Sequence, residues 1–218
     1  MDLRDELLLL RDLGFSHLDI SAQAAAPGQP SGPGEWDELE ARAKVCTLCR
    51  LATTRTQVVF GVGNRNADLM FIGEGPGRDE DLAGEPFVGR AGQLLNDIIR
   101  AMHLRREDVY IANVVKCRPP ENRNPEPDEM DLCRPYLKRQ IELVNPKVIV
   151  TLGKHALQST LEKSYAISAV RGKWLRYGDT KLMPTYHPAY LLRTPSAKKD
   201  VWADMKLVMA ELVIPVER

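Results

Sequence analysis

The chain has only four cysteines in 218 residues and no uninterrupted apolar run of about 18 residues, the length that a membrane-spanning helix requires. Its first residues are acidic, with Asp2, Asp5 and Glu6, so it lacks the basic segment that begins a secretory signal peptide. These absences predict a cytoplasmic protein with no membrane partner. In that reducing compartment, four cysteines are ligands more often than disulfides.

The chain also lacks a net charge, but its charges are unevenly distributed. Residues 1–40 hold two arginines and nine acidic residues, a net charge of −7, so residues 41–218 carry +7. A basic body fits a polyanionic partner such as nucleic acid, although an excess of this size is also common on ordinary domains. Residues 22–34 are uncharged and rich in Ala, Pro and Gly, as linkers are. We predict an acidic extension with a linker over residues 1–34, a candidate site for a protein partner, and one domain over residues 35–218.

Short apolar runs alternate with helical patterns in the predicted domain. The runs predict strands at residues 68–73, 109–115, 147–152 and 181–186. A helix is expected to start near Trp36, and further helical patterns cover residues 91–102, 127–143, 154–161 and 200–212. Continuous apolar strands joined by helical crossovers predict an α/β fold with a parallel sheet covered on both faces.

Glycine-rich or polar signals accompany three of these strands. The first strand runs into a turn over residues 73–77 (G-E-G-P-G), the second contains Asn113, and the fourth is followed by His187. Ligands bind at the carboxyl ends of strands in open α/β sheets, so the three signals together favour a binding site, although each alone could merely turn the chain. The glycine turn is neither a phosphate-binding loop nor a dinucleotide fingerprint, which disfavours enzymes that hydrolyse or bind those nucleotides.

The cysteines and one aromatic residue complete the candidate features. The thiols are spaced C-x2-C and then C-x15-C, and four thiolates can hold either zinc or an iron–sulfur cluster; they are Cys46, Cys49, Cys117 and Cys133. Phe87 lies in a loop between Gly84 and Gly89, where its ring could staple the following helix or offer a stacking surface to a planar base.

Several long segments of the chain, in order, resemble the family 4 uracil-DNA glycosylases, the iron–sulfur branch of their superfamily. They are G-E-G-P-G-R-D-E-D, G-E-P-F-V-G-R-A-G-Q-L-L, N-V-V-K-C-R-P-P-E-N-R-N-P-E-P-D-E and H-P-A-Y-L-L-R, together with the four-cysteine pattern. The resemblance covers residues 36–212. It implies a three-layer α/β/α sandwich around a four-stranded, mainly parallel sheet, with a [4Fe-4S] cluster on the four cysteines and zinc as the alternative.

The resemblance also implies an activity and roles for individual residues. Such an enzyme, expected here as a monomer, extrudes uracil from DNA and hydrolyses its N-glycosidic bond in base excision repair. Asn113 would pair with uracil N3–H and O4, Phe87 would stack on the flipped ring, and His187 would donate a hydrogen bond to uracil O2. Gly73 and Gly75 would line the pocket, largely through backbone groups.

The catalytic carboxylate and the contacts to DNA are less directly implied. Another branch of the superfamily carries a water-activating Asp where this chain has Gly75, so Glu80 is the first candidate and Glu74, which also lines the pocket, the second. Residues Leu191, Leu192 and Arg193 are expected to wedge the duplex where the flipped base was. Five further cations are candidate phosphate contacts: Arg118, Arg123, Lys154, Arg171 and Lys173.

Two other functions stay open at this point. A relative within the superfamily becomes covalently trapped on the abasic product through a histidine in a basic insert, but residues 118–127 contain no such insert. A non-catalytic iron–sulfur module could hold nucleic acid for a polymerase or another partner. The presence of Asn113, Phe87 and His187 argues against that module, because a pure binding protein needs no uracil-reading amide.

Overall fold

The structure, a computed structural model, describes residues 34–215, and in these a six-stranded mixed sheet forms the centre of the fold. The predicted extension over residues 1–34 lies outside the described residues, except for Gly34. The strands are β1 (Val62–Gly63), β2 (Leu69–Gly73), β3 (Tyr110–Asn113), β4 (Val148–Leu152), β5 (Leu175–Tyr177) and β6 (Thr180–Thr185). The four central strands are buried along most of their length, which explains the apolar runs in their sequences.

The strand order in the sheet is β1-β3-β2-β4-β6-β5. The four central strands are parallel, whereas β1 and β5 pair antiparallel at the two edges. The chain passes from β2 to β3 on one side and then crosses to β4 on the other side of β2. This reversal places a crevice at the carboxyl end of β2, where open α/β sheets bind ligands.

Helices connect the strands and cover the sheet. They are α1 (Glu35–Lys44), α2 (Arg78–Ala83), α3 (Arg90–Ala101), α4 (Pro127–Val144), α5 (Lys154–Leu161), α6 (Ile167–Val170), α7 (Pro188–Arg193) and α8 (Lys198–Glu211). The longest, α4, begins with Pro127 in its first turn, and the Glu129 carboxylate accepts the backbone N–H of Glu126 at 2.8 Å. It ends at Asn145, whose left-handed conformation closes the helix.

Two hydrophobic cores lie against opposite faces of the sheet. Met70 and Ile72 of β2 belong to the core beneath α1, α4 and α5, whereas Leu69 and Phe71 of the same strand belong to the core beneath α3 and α8. Alternate residues of a strand point to opposite faces, so this division follows from the pleat. No helix in the described part of the chain is long and apolar enough to cross a membrane.

The structure confirms the α/β class and the four predicted strands, but the expected count of four was too low. Edge strands β1 and β5 contain only two and three residues, too few for an alternating pattern to be visible in the sequence. The second predicted strand is also shorter, because regular pairing stops at Asn113 rather than Val115.

A buried carboxylate joins the last helix to the last parallel strand. Asp204 of α8 is 1% exposed and accepts hydrogen bonds from Thr185 Oγ1 at 2.6 Å and from Arg171 Nε at 3.1 Å. Arg171 also lies over the ring of Tyr186, 5.5 Å from its centroid. This arginine was a candidate phosphate contact in the sequence, but the structure uses it to neutralise a buried acid beside the end of β6.

Replacing this carboxylate tests how strongly it holds β6. We expect Asp204→Ala to lower the free energy of unfolding by about 3–5 kcal/mol, because it leaves a part-buried guanidinium without its partner. The control Asp97→Ala removes an exposed ion pair with Arg100 and is expected to cost under about 1 kcal/mol. Urea unfolding measures both, and equal effects would contradict the anchoring role.

Candidate active site

A cavity of about 390 Å³ opens at the carboxyl edge of the parallel strands. Segments that follow β2, β3 and β6 meet there, as the strand order predicts. The lining side chains include an amide, an imidazole, two carboxylates and an aromatic ring: Asn113, His187, Glu74, Glu80 and Phe87. The three strand-end signals of the sequence therefore converge on one pocket.

The Asn113 side chain presents an unsatisfied acceptor to this pocket. Asn113 is the last residue of β3 and is 2% exposed, and its Oδ1 has no hydrogen-bond partner within residues 34–215. Leaving a buried amide oxygen without a donor costs about 1–3 kcal/mol. An N–H group on a bound ligand would remove that cost, so Asn113 is the strongest indication of a ligand site.

Gly73 makes room for two of these side chains. It pairs with Asn113 in the register of β2 and β3. A Cβ at Gly73 would lie 2.5 Å from Phe87 Cζ and still closer to Asn113 Oδ1. Only glycine therefore allows the Phe87 ring and the Asn113 amide to approach each other across the end of β2.

The Phe87 ring forms one wall of the pocket. It is 6% exposed, and its centroid lies 5.6 Å from the imidazole of His187 with an angle of 32° between the ring planes. The Phe87 backbone has a φ of 55°, in the left-handed region that costs a non-glycine residue energy. The surrounding loop must therefore hold this conformation in place.

His187 is held in one tautomer by its own helix. It caps the amino terminus of α7, and its Nδ1 accepts the backbone N–H of Ala189 at 3.1 Å. Burial, with a contribution from the positive charge of Arg193, lowers the pKa of His187 from 6.5 to about 4. The neutral ring consequently carries its proton on Nε2, which is a hydrogen-bond donor.

The two candidate carboxylates differ in how they are engaged. Glu74 lies in the pocket wall, where burial raises the pKa of its carboxyl group against a smaller opposing effect of His155. Glu80 accepts backbone N–H groups from Gly77 at 3.0 Å, from Val88 at 3.0 Å and from Gly89 at 2.9 Å. Both oxygens of Glu80 are thus occupied by the backbone, which leaves Glu74 the freer of the two to meet a substrate or water.

The predicted wedge is a helix, and its three residues face different ways. Leu191 is 1% exposed and packs in the core beneath α3 and α8, so its side chain cannot enter a duplex from this position. Leu192 and Arg193 are exposed, and Arg193 lines the pocket. The prediction treated the three residues as one wedge because no helix was predicted at this position. In the observed helix, neighbouring leucines point to different sides.

The four cysteine side chains are free thiols that line one small cavity, beside the apolar side chains of Leu48 and Leu132. Within residues 34–215, no three of the His, Cys, Asp or Glu side chains converge closely enough to hold a single metal ion. Cys133 Sγ accepts the backbone N–H of Lys116 at 3.3 Å, and Cys117 Sγ accepts from Arg55 Nη1 at 3.2 Å. Hydrogen bonds and cations directed at sulfur stabilise thiolate ligands, so the donor set fits a thiolate-bound group.

A buried polar network runs from this cysteine site to the pocket. Lys116 is 2% exposed; its Nζ donates to the Asn113 carbonyl oxygen at 2.8 Å and also to Gln140 Oε1. Gln140 Nε2 in turn donates to Phe60 O at 2.9 Å and to Tyr110 Oη at 3.0 Å. Lys116 was not among the functional residues predicted from the sequence, although a lysine inside the apolar run V-V-K-C is a visible signal.

The loop over residues 118–127 borders both sites. Arg123 Nη1 and Nη2 donate to the two oxygens of Glu129 at 2.8 and 2.6 Å, and Glu129 also pairs with Arg50 at 3.2 Å. The Glu129 side chain is fully buried, and Arg50 lies next to Cys49. The network joins the pocket loop to the cysteine site, so Arg123, a candidate phosphate contact, is already paired.

The sequence of this chain is similar to the sequences of one protein family. The sequence profile of the uracil DNA glycosylase superfamily matches residues 60–206. A type-4 uracil-DNA glycosylase of Thermotoga maritima is 53% identical over 159 residues, which are 71% of this chain and 82% of the relative. Another, from Archaeoglobus fulgidus, is 46% identical over 180 residues, 79% of this chain and 90% of the relative. A DNA polymerase of Bacillus phage SP01 is 31% identical over 153 residues, 70% of this chain but only 16% of the polymerase.

The state of His187 can be measured without any substrate. We expect ¹⁵N NMR of the imidazole to show a neutral ring protonated at Nε2 and a pKa of about 4. The pKa of His187 in the folded protein is below the ordinary value of 6.5, so the unfolded chain binds a proton first as the pH falls. The free energy of unfolding is therefore expected to decrease as the pH falls from about 6.5 towards 4. Arg193→Met should raise the pKa, since it removes a repelling positive charge. A proton on Nδ1 at neutral pH would contradict this assignment.

Proposed function

The chain belongs to the uracil-DNA glycosylase superfamily and to its type-4 branch, and from this premise we propose which of its residues perform the reaction. It is an enzyme of base excision repair that acts on uracil-containing DNA and hydrolyses the N-glycosyl bond of uracil. Such an enzyme must take the nucleotide out of the base stack and hold the base in a pocket. The residue roles below are proposals supported by the geometry at the end of the sheet.

Asn113 is proposed to identify the base, and its buried, unpartnered Oδ1 is the observation that carries this proposal. Uracil offers an N3–H donor and an O4 acceptor side by side, which match the oxygen and the NH₂ group of an amide. Cytosine offers an unprotonated N3 and an amino group instead. It would leave the buried Oδ1 facing an acceptor, a mismatch that such sites reject strongly.

His187 is proposed to stabilise the leaving base, with Phe87 stacked on it. As the N-glycosyl bond breaks, negative charge develops on the uracil ring, and a fixed N–H donor aimed at O2 stabilises that charge. The Nδ1 contact of His187 with Ala189 leaves Nε2–H as this donor, and the lowered pKa keeps the ring neutral at physiological pH. The Phe87 ring faces the same space and offers a planar surface to the base.

Glu74 is proposed as the carboxylate that orients water or stabilises the positive sugar, in preference to Glu80. Glu74 lies in the pocket wall next to Gly75, whose backbone packs closely against Val115, since a Cβ there would lie 2.7 Å from Val115 Cγ2. Glu80 lines the same pocket but is proposed mainly to order the loops that carry Gly77 and Gly89. Leu192 and Arg193, both exposed beside the pocket, are the proposed wedge.

We propose that Cys46, Cys49, Cys117 and Cys133 hold a [4Fe-4S] cluster, and that the fold is the three-layer α/β/α sandwich of the superfamily. The absence of a tight three-ligand group among the described side chains fits a cluster of several atoms better than one zinc ion. A cluster on these cysteines would join the turn after α1, the segment after β3 and α4, which carries Cys133. The backbone N–H of Lys116 and the guanidinium of Arg55 donate to the sulfurs of Cys133 and Cys117, the two buried cysteines, and such donors would favour their thiolate forms.

The non-catalytic alternative has a specific point in its favour, the similarity of this chain to 16% of a phage DNA polymerase. Uracil-DNA glycosylase-like sequence can therefore be part of a polymerase chain. Asn113 Oδ1, which has no partner among the described residues, and the fixed His187 tautomer nevertheless support hydrolysis in this chain, because binding of DNA without base selection requires neither.

Substitution of Asn113 tests the base-reading proposal. We expect Asn113→Ala to reduce single-turnover excision of uracil about 10²–10³-fold, because it removes the only side-chain group proposed to pair with N3–H and O4. Oligonucleotides containing U, hypoxanthine or T, cleaved by alkali after the reaction, give the rates. Asn66→Ala, at an exposed turn, is the control and should match the wild type. An unchanged rate in Asn113→Ala would overturn the role.

Loss of one thiol tests the cluster. We expect Cys117→Ala to lose iron and sulfide, the absorbance near about 400 nm and a large part of its thermal stability. The reason is that the alanine methyl group cannot replace the fourth thiolate ligand. Arg55→Met removes one hydrogen bond and one positive charge beside Cys117 Sγ but leaves all four thiols, so it should retain iron. Zinc without iron in the purified wild type, or full activity in an iron-free Cys117→Ala protein, would contradict the proposal.

A further inference from the structure

Arg106 is a part-buried cation that has no part in the roles proposed above. It begins the short 3₁₀ turn Arg106–Asp108, directly before β3. We propose that Arg106 is a positioning residue. It fixes the position of the Phe87 ring relative to the Asn113 amide, so that the ring can stack on uracil while the amide pairs with it. This inference rests on the proposed stacking of Phe87 on the base.

The guanidinium group of Arg106 holds the Phe87 loop by its carbonyl groups. Its Nη1 donates to Phe87 O at 3.3 Å and to Asn96 Oδ1 at 2.9 Å, and its Nη2 donates to Pro86 O. One planar fork thus contacts two consecutive carbonyls and a side chain of α3. A lysine at this position has the charge but not the fork geometry.

The loop needs such support because Phe87 is in a strained conformation. Its φ of 55° is unfavourable for a residue with a side chain and persists only where neighbouring groups impose it. Gly92 of α3 supports the other side, since a Cβ there would overlap the Phe87 carbonyl group. Arg106 occupies the polar side of the same carbonyl, so the peptide group is fixed from two directions.

A cation and an anion form hydrogen bonds with neighbouring peptide groups of the Phe87 loop. Arg106 binds the carbonyls of residues 86 and 87, and Glu80 binds the N–H groups of residues 88 and 89. The ring of Phe87 projects from between these two anchors. Free rotation of the loop would break contacts at both ends, so the ring position is coupled to both charges.

Arg106 also connects the stacking residue to the base-reading residue. The chain runs from Arg106 through the 3₁₀ turn into β3, which ends at Asn113. At the end of β2, the missing side chain of Gly73 leaves room for the ring and the amide to approach each other. Arg106 therefore ties the Phe87 loop to the strand that carries Asn113, as a positioning role requires.

A double-mutant cycle separates positioning from general stabilisation. We expect Arg106→Met to reduce the single-turnover rate of uracil excision about 10–100-fold, since a displacement of about 1 Å in a reacting complex costs that much. In a Phe87→Leu background, where the flat ring is already absent, Arg106→Met should cost less than about 2-fold, because residues that act as a unit are not additive. Thermal unfolding of all four proteins shows which of them are folded.

The controls make each failure distinguishable. Arg100→Met removes an exposed arginine paired with Asp97 on α3 and should leave the rate unchanged. If Phe87→Leu alone retains the wild-type rate, the proposed stacking role fails. If Phe87→Leu is impaired but Arg106→Met costs the same factor in both backgrounds, the positioning role is overturned. Should Arg106→Met fail to fold, Arg106→Lys replaces it in the same cycle, with the same two outcomes.

Discussion

The parallel pairing of β2 with β3, in the register that sets Gly73 beside Asn113, is the constraint on which the site depends. It brings two strand ends together at the point where the strand order reverses, and both strands are buried, so the register cannot slip without exposing apolar residues. The missing side chain at Gly73 then leaves a space that the Phe87 ring and the Asn113 amide fill from two sides. The proposed base-recognition site is thus a consequence of sheet register.

Charged side chains hold the loops around this centre. Glu80 accepts backbone N–H groups of the Phe87 loop, and Arg106 donates to its carbonyl groups. Glu129 pairs with Arg123 and Arg50 and so holds the loop over residues 118–127. The Glu129 carboxylate is buried and Arg106 is partly buried, so each depends on its hydrogen-bond partners more than an exposed charge does. These contacts order the loops of the proposed pocket, which would lower the entropic cost of binding a base.

The cysteine site and the pocket share a structural support rather than reacting atoms. Lys116 contacts the Cys133 sulfur with its backbone N–H and the Asn113 carbonyl with its ammonium group. Asn113, proposed to read the base, and Cys117, one of the thiols proposed to hold a cluster, therefore lie at the two ends of the short segment of residues 113–117. Rigidity imposed on the thiols limits the freedom of this segment, which fits a structural rather than a chemical role for a bound cluster.

The sequence by itself determined the α/β class, the four central strands, the cysteine set and the three strand-end motifs, because apolar runs, spacing and turn residues are local properties of the chain. Tertiary structure alone decided what each side chain can do. Leu191 and Leu192 are neighbours in the sequence, but helical rotation buries one and exposes the other. Glu80 became a loop anchor because backbone N–H groups from a distant segment meet its carboxylate, and Arg106 gained its role in the same way. Such partners come together only through folding, since contacts between distant segments leave no periodic signal along the chain.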